Sequence, residues 1–398
     1  MAKNVDRNNY NVSDDLQPVL VTSIFQSANN GATKRQSKLA TELLEKDSAM
    51  AQAWSVRVAS IASCPFMLVG RNEEKNEQIR KALHGISPNY DSGLVGFKEL
   101  LQNLQSAVMH GFTVAETEWN AGGVAIDGFK LYNQSLFSFQ DSMLPYYSAQ
   151  TAVDKKQVEF KITYPRWIYH TATNSRDTEP LRSGLVRPLA YIYAFRRHAL
   201  IMYLDGMERF ASPTTQAKVA ESLYEDSEAR AELELMLESM TYGGHIITNE
   251  NAVELEFPMA DSGFNPDNFQ SFRNATDKEI FRLILGQDST SSAENSNRST
   301  AQVHNLVRQD ILASDALAVE NTVNTQIIKP LAIALWGDNV DDIPEFKFNL
   351  KGTAEQQAIA SMVETLDKSG FAVSEEELSL KLGFKVTKNE EEKETQNV

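Results

Sequence analysis

Residues 279–336 read EIFRLILGQ-DSTSSAENSNR-STAQVHNLVRQDILASDALAVENTVNTQIIKPLAIALW, two segments of helical periodicity separated by a largely polar segment of 11 residues. The first segment ends at Gly286, and the second opens on a Ser-x-x-Gln capping-box pattern at Ser299. Pro330 predicts a kink in the second helix, because proline removes a backbone donor. The polar segment 288–298 has almost no apolar side chain to bury, so it presents polar atoms to solvent or to a partner. On this pattern alone, a solvent-exposed connector is the simpler interpretation.

Composition places the chain among soluble proteins with a substantial core. It has 398 residues, of which 42% are hydrophobic. Its 54 acidic and 38 basic residues leave a formal net charge of −16, which disfavours nonspecific phosphate binding by the whole surface. The single cysteine, Cys64, rules out an internal disulfide and favours a reducing compartment. The first 15 residues are polar and no apolar run reaches 18 residues, so we expect neither a secretory signal nor a membrane span.

The first half of the chain combines helix and strand patterns and predicts an α+β fold. Residues 34–63 place their apolar side chains on one helix face, PFMLV after them is typical of a short strand, and residues 94–110 predict another amphipathic helix. Over residues 112–168 the pattern changes to strand alternation, in FTVAETEW, VAIDGFKLYN, LFSFQ and VEFKITY. We therefore predict an antiparallel sheet set against the preceding helices. Residues 1–33 are rich in Asn and Ser, and we expect an arm that orders only on contact.

A helix of different character follows Arg187-Pro188, with the sequence LAYIYAFRRHALIMYLDGMERF. Its apolar residues occupy nearly every side, so it must be packed on most sides. One subunit offers few neighbours, and we infer that other subunits cover it. Residues 213–258 then predict a small α/β piece with an acidic helix, and residues 353–385 predict two short capped helices before a charged tail, KNEEEKETQNV.

The search for catalytic chemistry finds little. The chain has no Gly-rich phosphate loop, and its six histidines are scattered, so we predict no catalytic site, no metal site and no cofactor. Cys64 precedes a proline at an apolar helix end, which favours core packing over a nucleophile. Asp154, Glu159 and Lys161 have the residue types of a metal-dependent nuclease, but a Glu-x-Lys pair on an exposed strand is common.

Several segments together resemble the portal proteins of Mu-type tailed phages. In the quoted stretch they are Ile284-Leu285-Gly286-Gln287, Ala301-Gln302-Val303-His304, Asp310, Asp315-Ala316, Asn324 and Ile328-Lys329-Pro330-Leu331. Upstream, LATELLEKDSAMAQAWSVRVASIASCPFMLV is similar to the first long helix and strand of that family, and AVMHGFTVAETEW to a strand entry. YPRWIYHT and RSGLVRPLAYIYAFRRHALIMYLDGMERFASP resemble its central helix region. The likeness covers residues 39–337, with one departure where Asp288 follows Gln287.

The resemblance implies a portal fold made of a helical and β wing, long stem helices, a small α/β clip and a short helical crown. It implies a homo-oligomeric ring, usually of about twelve subunits, that passes double-stranded DNA without sequence specificity. The expected partners are the large terminase, a head–tail adaptor and the major capsid protein, in a particle assembled in the host bacterial cytoplasm. No membrane contact and no enzymatic activity are implied. The alternative is another head–tail adaptor or assembly protein of a tailed phage.

The resemblance also divides the chain into parts. These are an N-terminal arm (1–33), wing (34–184), stem helix (185–212), clip (213–260), returning stem and wing helix (261–287), tunnel loop (288–298), wing helix and connector (299–352), crown (353–385) and disordered tail (386–398).

Three groups of residues become candidates for function on this basis. The tunnel loop would line the DNA channel with Asp288, Ser289, Thr290, Ser291, Ser292, Glu294, Asn295, Ser296, Asn297 and Arg298. The stem would contact neighbours or the channel through Arg196, Arg197, His198 and Arg209. The clip would contact terminase or adaptor through Glu225, Asp226, Glu228, Glu232 and Glu238. For Arg298, a phosphate contact and a salt bridge to Glu294 or a neighbour both remain open.

Overall fold

The computed structural model describes residues 16–139, 145–150, 157–172, 180–211, 216–219, 225–241, 253–256, 266–287, 298–338, 341–350, 361–366, 368, 369, 374 and 378. The chain divides into two compact units. Unit 1 comprises residues 1–192 and 277–398, and unit 2 comprises residues 193–276.

Helices dominate the described ranges. They are α1 (Pro18–Asn29), α2 (Lys34–Lys46), α3 (Ser48–Ala62), α4 (Glu73–Gly85), α5 (Phe97–Leu104), α6 (Ser106–His110), α7 (Pro180–Ser183), α8 (Val186–Ala211), α9 (Ser227–Thr241), α10 (Pro266–Leu285), α11 (Arg298–Val323) and α12 (Lys329–Trp336). A π-helical turn, Asn324–Ile328, joins α11 to α12. Within the described ranges, none of these helices combines the length and apolarity needed to cross a bilayer.

Within the part of the chain that the structure describes, the strands are short and every strand pair is antiparallel. They are β1 (Phe66–Val69), β2 (Phe112–Trp119), β3 (Ile126–Leu131), β4 (Phe137–Phe139), β5 (Pro145–Gln150), β6 (Gln157–Lys161), β7 (Trp167–Thr171), β8 (Gln216–Val219), β9 (Val253–Glu256) and β10 (Glu345–Phe348). Their orders are β3-β2-β7, β4-β5-β6, β1-β10 and β8-β9, the last in unit 2. The predicted α+β class and antiparallel pairing are confirmed.

The expectation of one sheet over residues 112–168 is wrong, because the structure has two three-stranded sheets there. A 3-10 turn at Gln134–Leu136 separates β3 from β4, and β2 pairs instead with the distant strand β7. Strand β7 lies in YPRWIYHT, which was assigned to the central helix region, and that assignment is also wrong. Trp167, Ile168 and His170 are buried there, as expected for a strand covered on both faces.

The N-terminal arm is also corrected by the structure. Residues 18–29 form a helix whose buried side chains, Val21, Ile24, Phe25 and Ala28, follow helical spacing. This segment is therefore part of the packed fold rather than an arm that waits for contact. The single helix expected over residues 34–63 is likewise divided, because the Asp47 carboxylate accepts hydrogen bonds from the backbone of Ala49 and Met50 and starts a new helix.

Helix α11, the π-helical turn and α12 form one continuous helical rod in unit 1. Its apolar face contributes Ala316, Val319, Val323, Ile327, Ile328 and Leu331 to a core cluster of the described residues, together with side chains from α4, α5, β3 and β10. The turn also carries two polar side chains that bond strand backbones. Asn324 exchanges two hydrogen bonds with the backbone of Phe346, at 3.0 and 2.7 Å. Gln326 does the same with Tyr169, at 2.8 and 2.7 Å.

Two buried histidines make unit 1 sensitive to acid. His170 on β7 shares a 2.7 Å hydrogen bond with the Thr322 hydroxyl, and His110 lies at the end of α6. Burial disfavours the imidazolium and lowers the pKa of each histidine to about 4. The unfolded chain therefore binds a proton more readily than the folded chain. Stability from these groups is complete above pH 6.5 and is lost as pH falls from there toward 4.

We expect His170→Asn to reduce the pH dependence of the unfolding free energy between pH 7 and pH 5. With a pKa of about 4 in the folded state, each histidine makes that difference about 2 kcal/mol. Urea unfolding at the two pH values measures it. The parent protein, unfolded under the same two conditions, is the reference. An unchanged dependence in His170→Asn would contradict the assignment.

Candidate functional site

The junction between α10 and the predicted tunnel loop is closely packed. Gly286 ends α10 with a φ of +73°, in the left-handed region, and its N–H donates to Arg282 at 3.0 Å. A Cβ at this position would lie 2.6 Å from Ile311 Cδ1 and 2.9 Å from Val307 Cγ1 on α11. Glycine is therefore required here for two reasons, its backbone conformation and the approach of α11. The next residue, Gln287, is buried.

The loop itself, residues 288–297, lies outside the described residues, so its predicted channel contacts remain a prediction. The structure does correct its boundary. Arg298 is the first residue of α11 rather than the last residue of the loop, and Ser299 lies within the first turn rather than at the cap. Capping patterns locate helix ends only to within one or two residues.

A buried ion pair connects three helices next to this junction. Arg57 on α3 donates from Nε and Nη2 to the two carboxylate oxygens of Asp315 on α11, at 2.8 and 2.9 Å. Its Nη1 donates to the carbonyl oxygen of Ile284 at 2.7 Å. Both charged side chains are almost fully buried, with 5% and 3% of their surface exposed. Sequence reasoning missed this pair, although Asp315 lies in the run that carries the family resemblance and Arg57 lies in another.

The predicted stem residues have different environments within α8. Arg196 donates from Nη1 to the Thr276 hydroxyl of α10 at 3.2 Å. Arg197 is half-buried, and its Nε is fully buried without a hydrogen-bond partner among the described residues. His198 is exposed, and the side chain of Arg209 lies outside the described residues.

Helix α8 changes character along its length. Its first turns are buried in the chain's own core, through Val186, Leu189, Ala190, Ile192, Tyr193 and Ala194. From Phe195 onward large apolar side chains are exposed, namely Phe195 (52%), Leu200 (44%), Ile201 (47%), Met202 (62%), Leu204 (54%) and Met207 (46%). At about 100° per residue these positions are spread around the helix, so the exposed apolar surface is present on several sides.

The acidic residues that were predicted to lie in a clip belong to unit 2. Glu225, Asp226, Glu228 and Glu232 are exposed, and the side chain of Glu238 lies outside the described residues. Asp226 has a local structural role, since its carboxylate accepts from the backbone N–H of Glu228 at 3.0 Å and starts α9. Glu228 and Glu232 are exposed on α9 itself, where Leu235 is also 67% exposed.

The nuclease hypothesis gains nothing from the described residues. Glu159 and Lys161 lie exposed on β6, and Asp154 is outside the described ranges. Across those ranges no group of three His, Cys, Asp or Glu side chains could hold a metal ion. Cys64 packs against the core cluster that contains the apolar face of α11. Burial raises the pKa of its thiol, and its Sγ–H donates to the Ser60 carbonyl oxygen at 3.1 Å.

Comparison with known proteins now decides the family. A family model described as the portal protein of Mu bacteriophage matches residues 37–384. The chain belongs to the Mu portal protein family. The predicted resemblance is therefore confirmed, and the match extends beyond the range 39–337 that carried it.

This portal protein is similar to two named relatives. The Mu-like prophage FluMu protein gp29 of Haemophilus influenzae is 24% identical over 390 residues, which cover 94% of this chain and 72% of that protein. The portal protein of Escherichia phage Mu is 23% identical over 374 residues, which cover 92% and 70%. Among solved structures, a chain in the neck of a native gene transfer agent particle, computed with C12 symmetry, matches 92% of this portal protein and all of that chain. The TM-score is 0.56 at 16% identity, so the two share a fold.

We expect Gly286→Ala to destabilise the portal protein by about 2–4 kcal/mol, from left-handed strain and overpacking against α11. Gly123→Ala is the matched control, because Gly123 has a similar φ of +67° but nothing within 4 Å of its Cβ position. It should cost only about 1–2 kcal/mol. Urea unfolding followed by circular dichroism compares them, and equal losses would show that the contact with α11 is unimportant.

Proposed function

We propose that this portal protein assembles into a closed ring of about twelve subunits at one vertex of a phage capsid. In this proposal the large terminase drives double-stranded DNA through the ring during packaging, and the DNA leaves through it at infection. The ring is assembled in the host bacterial cytoplasm, remains in the virion among the major capsid protein, and receives the head–tail adaptor. The subunit serves as a conduit and performs no catalysis.

The observation that carries this proposal is the exposed apolar surface of α8 from Phe195 to Met207. Soluble proteins rarely leave large apolar side chains exposed on several sides of one helix. In a closed ring each subunit has a neighbour on either side, through two different surfaces, so neighbouring copies would cover the helix. The gene transfer agent structure of similar fold, computed with C12 symmetry, supports a ring of this kind.

The charge of the subunit suits a channel for DNA. A formal net charge of −16 on each copy repels phosphates, so DNA would slide without adhering. We propose that residues 288–297 form a polar collar around the DNA, with Arg298 at the start of α11 as a basic residue beside that collar. The exposed carboxylates and Leu235 of α9 would contact terminase or adaptor, which favours a partner surface that is basic with an apolar centre.

Substituting a stem residue should prevent ring formation. We expect Leu204→Glu to leave the monomer folded, because Leu204 is 54% exposed in the single chain, but to place a charge in the proposed apolar interface. Native mass spectrometry and negative-stain electron microscopy of the full chain measure the outcome. Val124→Glu is the matched control, since Val124 is 48% exposed in unit 1. If Leu204→Glu forms normal rings, or if both variants lose ring formation equally, the stem is not part of the interface.

Shortening the predicted collar should reduce the DNA retained in particles without affecting ring assembly. Deleting residues 290–295 should leave rings intact and reduce the DNA retained in particles by at least about tenfold, because the collar would no longer reach the duplex. Quantitative PCR of nuclease-protected DNA measures this. The control deletes residues 387–392, an equal length from the predicted tail. Failure of the collar variant to form rings would mean that the segment is structural.

A further inference from the structure

We infer that Arg57 is a positioning residue of the channel, which fixes the direction in which the first turns of α11 project. The inference rests on the proposed function of the segment that α11 follows. It concerns the ion pair to Asp315 and the hydrogen bond to Ile284, which together set α11 relative to the end of α10.

The planar guanidinium of Arg57 forms hydrogen bonds to both α10 and α11. Ile284 lies in the last turn of α10, where backbone carbonyls lack intrahelical donors, and Nη1 of Arg57 supplies one. The Nε–Nη2 edge of the same guanidinium donates two hydrogen bonds to Asp315. Since the guanidinium is rigid, the Ile284 carbonyl and the Asp315 carboxylate are held in one fixed relation.

The packing of Gly286 explains why this relation matters. Gly286 contacts α11 at Val307 and Ile311, so α11 continues beyond the end of α10 by the nine residues from Arg298 to Leu306, about 13 Å at 1.5 Å per residue. Asp315 lies about 25 Å from the start of the helix on the same scale. A tilt of roughly 5° at Asp315 would therefore move Arg298 by about 2 Å. A small tilt of α11 at the ion pair therefore becomes a larger displacement at Arg298, where the helix follows the predicted collar.

A purely structural role predicts a different result from a positioning role. Replacing a buried ion pair with apolar side chains of similar volume often preserves stability. The double variant Arg57→Met with Asp315→Leu should then remain folded, but it loses the directional bonds and leaves the Ile284 carbonyl without its donor. The single variant Arg57→Lys keeps the charge, but one ammonium cannot reproduce the planar, two-sided contact.

Spin labels on the assembled ring measure the orientation of α11. The only native cysteine is Cys64, so Cys64→Ser permits a single label at Leu306→Cys, an exposed position on α11, or at Ser227→Cys on α9 as a reference. In Arg57→Met/Asp315→Leu rings we expect at least a twofold shorter rotational correlation time at 306 and no change at 227. The same variant without labels should package at least tenfold less DNA, and Arg57→Lys should fall between it and the parent.

Arg166→Met is the matched control for lost stability. Arg166 pairs with the buried Glu116 carboxylate, at 2.6 Å from Nε, and contacts neither α10 nor α11 through that pair. It should destabilise the fold without changing the label at 306. An unchanged label at 306 in the double variant would overturn the positioning role, whatever the packaging result. A mobile label with normal packaging would preserve the positioning role and instead contradict the proposed function of the collar.

Discussion

The fold of unit 1 depends on the hydrogen bonds that one helical turn makes to two separate strands. Asn324 and Gln326 are two residues apart, so on a helix they point in nearly opposite directions. Each amide donates one hydrogen bond through its NH2 group and accepts one through its carbonyl oxygen, which matches the backbone groups of a strand residue, at Phe346 and at Tyr169. The turn therefore satisfies two strand backbones that would otherwise require another strand. This connects the pairs β1-β10 and β2-β7 through a single rod, and the core of unit 1 forms around it.

The same turn shows why part of the fold could be predicted from sequence and part could not. The apolar periodicity of residues 303–331 indicated a long helix, and the structure contains one. Pro330 was also predicted to kink this helix, and the π-helical turn ends two residues before it, at Ile328. The pairing of Asn324 with Phe346 has no local sequence pattern, and residues 345–348, which were predicted to be part of the connector within 299–352, form β10. Strand β7 was misassigned for the same reason, since its partner β2 lies about fifty residues earlier in the chain.

The candidate site divides along similar lines. An apolar surface around α8 follows from composition alone, and the exposed side chains from Phe195 to Met207 agree with it. Only one of the two reasons for Gly286 could be predicted from sequence. A glycine that ends a helix is a local pattern, but the contact of Gly286 with Val307 and Ile311 depends on the folded structure. Arg57 and Asp315 are 258 residues apart, and nothing near either residue in the sequence indicates the other. Buried charge pairs between distant segments are therefore a kind of functional residue that single-sequence reasoning misses.

The proposed stem contacts depend on apolar burial, whereas the proposed clip contacts depend on surface charge. Ring assembly and partner exchange would therefore respond differently to salt. Burial of the apolar surface of α8 would strengthen or stay constant as salt rises, because it depends on removing apolar area from water. Contacts through the exposed carboxylates of α9 would weaken, because charges at the surface are screened over about 8 Å at physiological ionic strength. A ring built on the first and partners bound through the second would stay closed while one partner leaves the clip and another takes its place. The distribution of the two residue types between α8 and α9 is therefore what a permanent ring with exchangeable partners requires.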